Sequence, residues 1–342
     1  MPKISFIIVN YSTKTLLEQC INNLLNVTLD HEIIVVDNNS PDGSADHIKK
    51  VFSDNKRVHL IKNQNNGLAC GYNIGIKSAK GDVHIFLGTD AFPTSSAIDQ
   101  IYEYMLNNSS VGAVSPHLYT RDGKSDLDAH RGLITPWVAF THFSGLEKLF
   151  KNNPKFNGYD LSYLNLNTTH QIDAGISHFL AINPNVYKKV GYWDEKFFLF
   201  GEDIDFCYRI KQAGFKIMYL GEVKVLHYKG ATISRKTAQD IQNAVNMQFE
   251  NNLDQNSKTL PNTANGYQDQ DQDQDQDQSQ TVLTKKIVNK PLKIMIAKES
   301  TKSMRYFYKK HFSKKYNPII TNIVIISTYL IEFLRVIKIK LS

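Results

Sequence analysis

Three acidic positions in this sequence stand where carboxylates could do chemistry. Asp37 closes the apolar run 33–36, Asp90 follows the run 83–87 by way of Gly88 and Thr89, and Glu202-Asp203-Ile204-Asp205 sets three acids in four residues. Oxygen ligands at such a place can hold a divalent cation that neutralises charge developing on a leaving diphosphate, and Asp90 is the candidate ligand. A carboxylate on the far side of the reacting centre can take the proton of an attacking hydroxyl, and the acidic cluster can supply one. Plainer readings stand beside these. Asp37 taken alone is equally read as the cap of the helix that follows, and Asp205 with Arg209, four residues on, reads as a structural ion pair.

Positioning these acids requires strands that end at one edge. Residues 4–9, 33–36, 58–61 and 83–87 are short β-branched apolar runs, as strands buried on both faces of a parallel sheet would be. Helical spacing fills 13–25 and 68–79, with another helix expected from Ser44, so strand and helix alternate with short connections. A right-handed, mostly parallel α/β sheet flanked by helices follows, and the carboxyl ends of its strands form the ligand crevice. Over 115–171 the alternation lapses into a polar, aromatic-rich stretch with Trp137, His142 and Tyr159. It is read either as an acceptor-binding insertion or as an excursion covering a sheet edge. Regularity returns at 172–182, a helix near 185–190, the turn 191–195, a helix over 204–212 closed by Gly214, and a strand at 223–227.

The chain carries +7, but residues 283–342 hold fourteen Lys or Arg against Glu299 and Glu332, a local +12 that leaves −5 over the rest. That asymmetry opposes a nucleic-acid binder and predicts a catalytic body with a basic tail directed at an anionic surface. Asp-Gln alternation over 268–278 cannot bury apolar area, so 253–284 is expected to be a disordered linker between a catalytic domain, 1–252, and a membrane-associating segment, 285–342. Its five aspartates read as solvated low complexity rather than a metal site. In the last segment the apolar run 319–334 spans about 24 Å as a helix against about 30 Å of hydrocarbon. With Glu332 inside it and cations at both ends, an amphipathic helix lying at the interface is expected; a tilted span and a helix packed on the catalytic domain are the alternatives. Three widely spaced cysteines and a start that runs directly into a strand predict a cytoplasmic protein on the inner face of the membrane.

Taken together, Ile7-Ile8-Val9-Asn10-Tyr11, Val35-Val36-Asp37-Asn38-Asn39-Ser40, Asn66-Gly67 with Gly71-Tyr72-Asn73-Ile74-Gly75, Leu87-Gly88-Thr89-Asp90, and Gly191-Tyr192-Trp193-Asp194-Glu195-Lys196-Phe197-Phe198 leading to Glu202-Asp203-Ile204-Asp205 resemble glycosyltransferase family 2, in its rhamnosyltransferase-like branch. The resemblance covers about residues 3–235. It implies a GT-A-type, Rossmann-like fold and an inverting transfer of a sugar, rhamnose in this branch, from a dTDP- or UDP-linked donor to a lipid-linked or cell-surface glycan. It further implies that Asp37 accepts a hydrogen bond from the donor's pyrimidine with Asn10 and Tyr11 close by, that Asn73 lines the nucleotide pocket, that Asp90 and His227 bind magnesium or manganese, and that Asp203 is the general base. Asp194, Glu195 and Glu202 fall on the acceptor side. Much of the family has an acid where Gly88 stands, so metal dependence is the point at which this sequence departs, and a glycan-binding or scaffolding relative without turnover is the alternative reading. A sugar nucleotidyltransferase would need a Gly-rich basic loop after the first strand, and a dinucleotide-dependent oxidoreductase Gly-x-Gly-x-x-Gly there; Asn10-Tyr11-Ser12-Thr13-Lys14 is neither.

Overall fold

The structure is a computed structural model that describes residues 2–229 and 278–341. Two compact units divide the chain, Met1–Gln242 and Asn243–Ser342. In the first, a nine-stranded sheet has the order β3-β2-β1-β4-β8-β6-β9-β5, with β7 paired on β9. Strands β1 (Ile4–Asn10), β2 (His31–Asp37), β3 (Val58–Lys62) and β4 (Val83–Leu87) are parallel, joined by helices α1 (Lys14–Leu25), α2 (Ser44–Val51) and α3 (Leu68–Ser78). The β-branched runs of β1, β2 and β4 are buried along nearly their whole length, which is why they read as continuous apolar stretches.

Beyond β4 the sheet is mixed. Strand β5 (Ala91–Phe92) and helix α4 (Ser95–Asn107) lead to β6 (Val111–Tyr119), which runs parallel to the long β9 (Lys216–His227). Antiparallel to their neighbours are β5, β7 (Thr169–Ile172) and β8 (Phe179–Ile182), the last inserted between β4 and β6. The parallel expectation therefore describes the β3-β2-β1-β4 half. Helix α4 is capped by Thr94, whose Oγ1 accepts the Ala97 amide at 3.1 Å. The irregular stretch begins at 120 rather than 115, because β6 continues through Pro116 with a register shift there. It contains short helices α5 (Pro136–Phe143) and α6 (Leu146–Leu149), with Trp137, Phe140, Phe143 and Phe150 exposed. Helices α7 (Asn185–Val190) and α8 (Glu202–Gln212) follow, α8 starting two residues before the expected position.

The second unit contains helices α9 (Gln278–His311) and α10 (Pro318–Leu341). Of the expected linker, 253–277 lie outside the described residues, as does the segment after 229, and 278–284 form the first turns of α9. The two helices pair antiparallel: Lys290 Nζ reaches the Lys340 carbonyl at 3.3 Å, and Glu332 on α10 accepts from Thr301 and pairs with Arg305 on α9, both at 2.8 Å. The acid that interrupts the apolar run is thus neutralised inside the hairpin. Helix α10 has 24 residues, about 36 Å, longer than its apolar run. By length and composition alone it could cross a membrane; Ile319, Ile323, Ile326, Leu330, Phe333 and Leu334 are exposed on it.

Candidate active site

Two of the expected acids lie at the carboxyl ends of parallel strands. Asn10 and Asp37 are cross-strand partners closing β1 and β2, both buried, and the Asn10 amide donates to Asp37 Oδ2 at 2.7 Å. Ser40 folds back onto the same carboxylate, its amide on Oδ1 at 2.9 Å and its hydroxyl on Oδ2 at 2.6 Å. Asp37 is therefore the organiser of the turn after β2 and not the cap of α2, whose N-cap is Gly43. Oδ2 thus accepts two hydrogen bonds already, and Oδ1, which accepts one, keeps a second lone pair for a ligand donor. Tyr11 is half exposed at this edge, and Thr13 bridges Asn10 to Thr89, 3.1 Å away, which precedes Asp90.

Asn73, on α3, is placed against the turn before α8. Its amide nitrogen donates to the Trp193 carbonyl at 2.9 Å and to Glu195 Oε1 at 2.8 Å, and its oxygen accepts the Trp193 amide at 3.0 Å. The start of the same helix is tied in by Leu68 donating to the Phe198 carbonyl at 2.9 Å. Gly67, at φ +96°, is required there: a Cβ would lie 2.6 Å from the Phe198 oxygen. Two sequence motifs more than a hundred residues apart thus form one interlocked unit. Asp194 shapes the turn, accepting the Lys196 amide at 3.0 Å. Phe200 at φ 67° and Gly201 at φ 80° then turn the chain sharply into α8, a strained conformation for a phenylalanine.

Asp90 and His227 meet because β5 pairs with the end of β9: Ala91 opposes His227, and the Tyr228 amide donates to the Asp90 carbonyl at 2.7 Å. Asp90 Oδ1 lies 3.6 Å from His227 Nε2. Asp126, just past β6, accepts from His227 Nδ1 at 2.7 Å and is gripped by Lys229 at 2.6 Å. That contact fixes the ring so that Nε2 faces Asp90. Burial alone would lower the His227 pKa, but the Asp126 hydrogen bond and the Asp90 charge override it and raise it to about 9. Burial likewise works against charge on Asp90, yet His227 and His178 hold its carboxyl below the ordinary range.

His178, immediately before β8, completes the group: one donor atom from each of Asp90, His178 and His227 lies within 4.8 Å of the other two. Asp90 Oδ1, His178 Nδ1 and His227 Nε2 are all buried without a hydrogen-bond partner. One carboxylate and two imidazoles drawn this close, with Asp90 Oδ1 and His227 Nε2 3.6 Å apart, fit a divalent cation.

The acidic cluster sits at the start of α8, where carboxylates face the helix N-terminus. Asp203 Oδ2 pairs with Arg131 at 2.7 Å, both side chains 8% exposed, and Oδ1 accepts the Ile204 amide at 2.8 Å. Arg131 also donates to the Gly175 carbonyl. Glu202 accepts from Ser177 Oγ at 3.1 Å, and its Oε2 is buried without a partner. Burial, reinforced by the neighbouring Asp203 charge, pushes the Glu202 carboxyl up to about 8. Glu202 therefore favours its protonated form at neutral pH, beside the ion pair that Asp203 makes with Arg131. Asp205 forms the expected pair with Arg209 at 2.8 Å. Segment 173–178 links these acids to the cation group, with Gly175 on Arg131, Ser177 on Glu202 and His178 beside Asp90.

The sequence reading missed Ser40, Asp126, Arg131, Ser177 and His178. Ser40 lay in a quoted motif and its spacing to Asp37 is that of a side chain folding back on its own turn. The other four depend on pairings across the mixed half of the sheet, for which local sequence carries no signal.

A GT-A-like mixed α/β sheet with buried acids and a cation-competent cluster at one edge defines the fold of nucleotide-sugar glycosyltransferases. The family model for glycosyl transferase family 2 matches residues 5–176, half of the chain, and the protein belongs to that family. A poly(ribitol-phosphate) beta-glucosyltransferase of Bacillus spizizenii is 27% identical over 260 residues, 71% of this chain and 38% of that protein. A low-salt glycan biosynthesis hexosyltransferase of Haloferax volcanii is 22% identical over 228 residues, 66% of each. The chain thus spans less than two thirds of the length of these relatives. Among solved structures, GalNAc-T7 with UDP, GalNAc and Mn2+ superposes with a TM-score of 0.50 at 16% identity, over 67% of this chain and 44% of that one, a likeness of fold.

Proposed function

We propose that the protein is an inverting glycosyltransferase that moves a sugar from a pyrimidine nucleoside-diphosphate donor to a glycan or lipid-linked acceptor. The observation that carries this reading is the convergence of one ligand atom from each of Asp90, His178 and His227, in the same fold as the buried Asp203–Arg131 pair. A magnesium or manganese ion held by Asp90 and His227 would neutralise charge on the departing diphosphate. Asp37, fixed by Asn10 and Ser40, accepts from the pyrimidine, with Tyr11 at the open edge of the same pocket. Asn73 holds the Trp193–Glu195 turn in place for the acceptor.

Asp203 takes the proton of the attacking hydroxyl on Oδ1, the oxygen that Arg131 leaves free, while Arg131 fixes the carboxylate's direction. Protonated Glu202 acts beside it as a hydrogen-bond donor on the acceptor side. The motif resemblance supports rhamnose from a dTDP-linked donor, with a UDP-sugar equally acceptable to Asp37; the relatives' names, a glucosyltransferase and a hexosyltransferase of glycan biosynthesis, support the cell-surface glycan class of acceptor. Residues 120–168, with exposed Trp137 and Phe140, form the acceptor side, since aromatic faces stack on sugar rings. Helix α10 and the surrounding lysines bring the enzyme to the inner face of an anionic membrane, where a lipid-linked acceptor is presented.

Calorimetric titration of dTDP, UDP, GDP and CDP, with and without manganese, tests the donor site. Micromolar binding of dTDP or UDP that requires both manganese and Asp90, and is lost in Asp90→Ala, is the expected result; no nucleotide bound by folded protein overturns the reading. Asp203→Asn is expected to lose turnover by at least about a hundredfold while keeping nucleotide affinity. Near-normal turnover would remove Asp203 as the base.

A further inference from the structure

Gly88 has no side chain, and the room beside it is taken. A Cβ at position 88 would lie 2.7 Å from Asp90 Oδ1 and 2.7 Å from His178 Cδ2. The space next to the Asp90 carboxylate that a residue at 88 would enter is filled by the His178 imidazole. Backbone pairing fixes this arrangement. Leu87 opposes Phe179 in the antiparallel β4–β8 pair, and one step further the Gly88 amide donates to the His178 carbonyl at 3.0 Å. The ring of His178 stands 5.3 Å, centroid to centroid, from that of His227, and its buried Nδ1 has no hydrogen-bond partner.

We propose that His178 is the third protein ligand of the cation site, standing in for a side chain that Gly88 lacks, and that the resulting donor set makes the site select manganese over magnesium. The inference rests on the cation reading given under the proposed function. Its physical basis is ligand type. Magnesium is a hard ion that takes oxygen donors and dehydrates reluctantly, whereas manganese, though the weakest binder of the first-row transition ions, accepts imidazole nitrogen more readily than magnesium does. One carboxylate with two imidazoles shifts a site away from magnesium. Gly88 is then required for the substitution, because any larger residue there displaces the ring.

The test uses the full chain, stripped with chelator and titrated with Mn2+ or Mg2+ in the presence of UDP, with Mn2+ binding followed by electron paramagnetic resonance. Electron spin-echo modulation of the bound Mn2+ counts the coordinated nitrogens directly in the wild type. Two imidazole nitrogens are expected, together with Mn2+ bound at least about tenfold more tightly than Mg2+. His178→Ala is expected to show one nitrogen and to lose at least about tenfold in Mn2+ affinity with little change for Mg2+. The double variant Gly88→Asp/His178→Ala, which returns a carboxylate to the vacated space, is expected to bind Mg2+ more tightly than the wild type does, with one nitrogen on Mn2+. A single nitrogen in the wild type, or unchanged affinity and modulation in folded His178→Ala, overturns the role of His178 while leaving the cation site standing. Failure of the wild type to bind either ion overturns the site itself and this inference with it.

Discussion

At the scale of single residues, the organising fact is that Glu202 and Asp203, adjacent in sequence and both buried, have different partners, Arg131 for Asp203 and Ser177 for Glu202. Arg131 compensates Asp203, and breaking a buried pair of this kind costs about 3–5 kcal/mol because the surviving charge is left alone. Glu202 has no such partner and goes from its ordinary 4.5 to about 8. A group with a raised folded-state pKa takes up a proton on folding, so its contribution to stability is complete below about pH 4 and is lost as pH rises through 8. Glu202→Gln removes that loss. Melting temperatures compared from pH 5 to 9 are therefore expected to show the variant gaining on the wild type as pH rises, by several degrees at pH 9. A constant difference across the range would mean that Glu202 is already ionised in the fold. The type of each acid was legible in the sequence, as was the Asp205–Arg209 pair from its i,i+4 spacing. The raised Glu202 pKa was not, because it follows from burial in the folded chain, and neither was the pairing of Asp203 with Arg131, seventy-two residues away in sequence.

At the scale of elements, α3 shows how the sequence positions the sheet edge that carries Asn10 and Asp37. Its glycines are a packing device: a Cβ at Gly75 would lie 2.4 Å from Ile7 Cγ2 on β1, and one at Gly71 would lie 2.8 Å from both Val9 methyls. The helix therefore lies close over the strand that ends at Asn10. Gly75→Ala gains helix propensity but must push α3 away from β1, and overpacking of this kind costs about 1–3 kcal/mol. Urea denaturation is expected to show that net destabilisation, and to show it shrinking in an Ile7→Ala background, where the clashing methyl is absent. Equal losses in both backgrounds would place the strain elsewhere. Strands β1, β2 and β4 were readable because burial on both faces writes an unbroken apolar run. Helix α4 was not read, although Thr94 before Ala97, Ile98, Ile101, Tyr102 and Met105 at helical spacing is a local signal for it. Strand β8 is short, and nothing local says that it enters antiparallel between β4 and β6. That single insertion is what brings His178 to Asp90, so the part of the site depending on it could not be read from sequence.

At the scale of the whole molecule, charge and apolar surface are segregated along the chain, and the C-terminal hairpin combines both. Glu332 is held by Thr301 and Arg305, so the exposed face of α10 is left to its apolar residues while lysines dominate the rest. Co-sedimentation of the full chain with vesicles containing anionic lipid is expected to be strong at about 0.1 M salt, to weaken several-fold at about 1 M, and to be lost in Ile326→Glu/Leu330→Glu. Salt-resistant retention that only detergent releases would show that α10 crosses the bilayer instead.

Segment 173–178 gives the site one more property. Its backbone is pinned to Arg131 at one end and to Gly88 at the other, so the proposed base Asp203, paired with Arg131, and the proposed cation site share a common strut. A shift carried along it from one end to the other would act both ways at equilibrium: if an occupied donor pocket tightens the grip on the acceptor by some factor, the acceptor tightens the grip on the donor by the same factor. Six residues between β7 and β8 would then make the two substrates partners before any bond between them is formed.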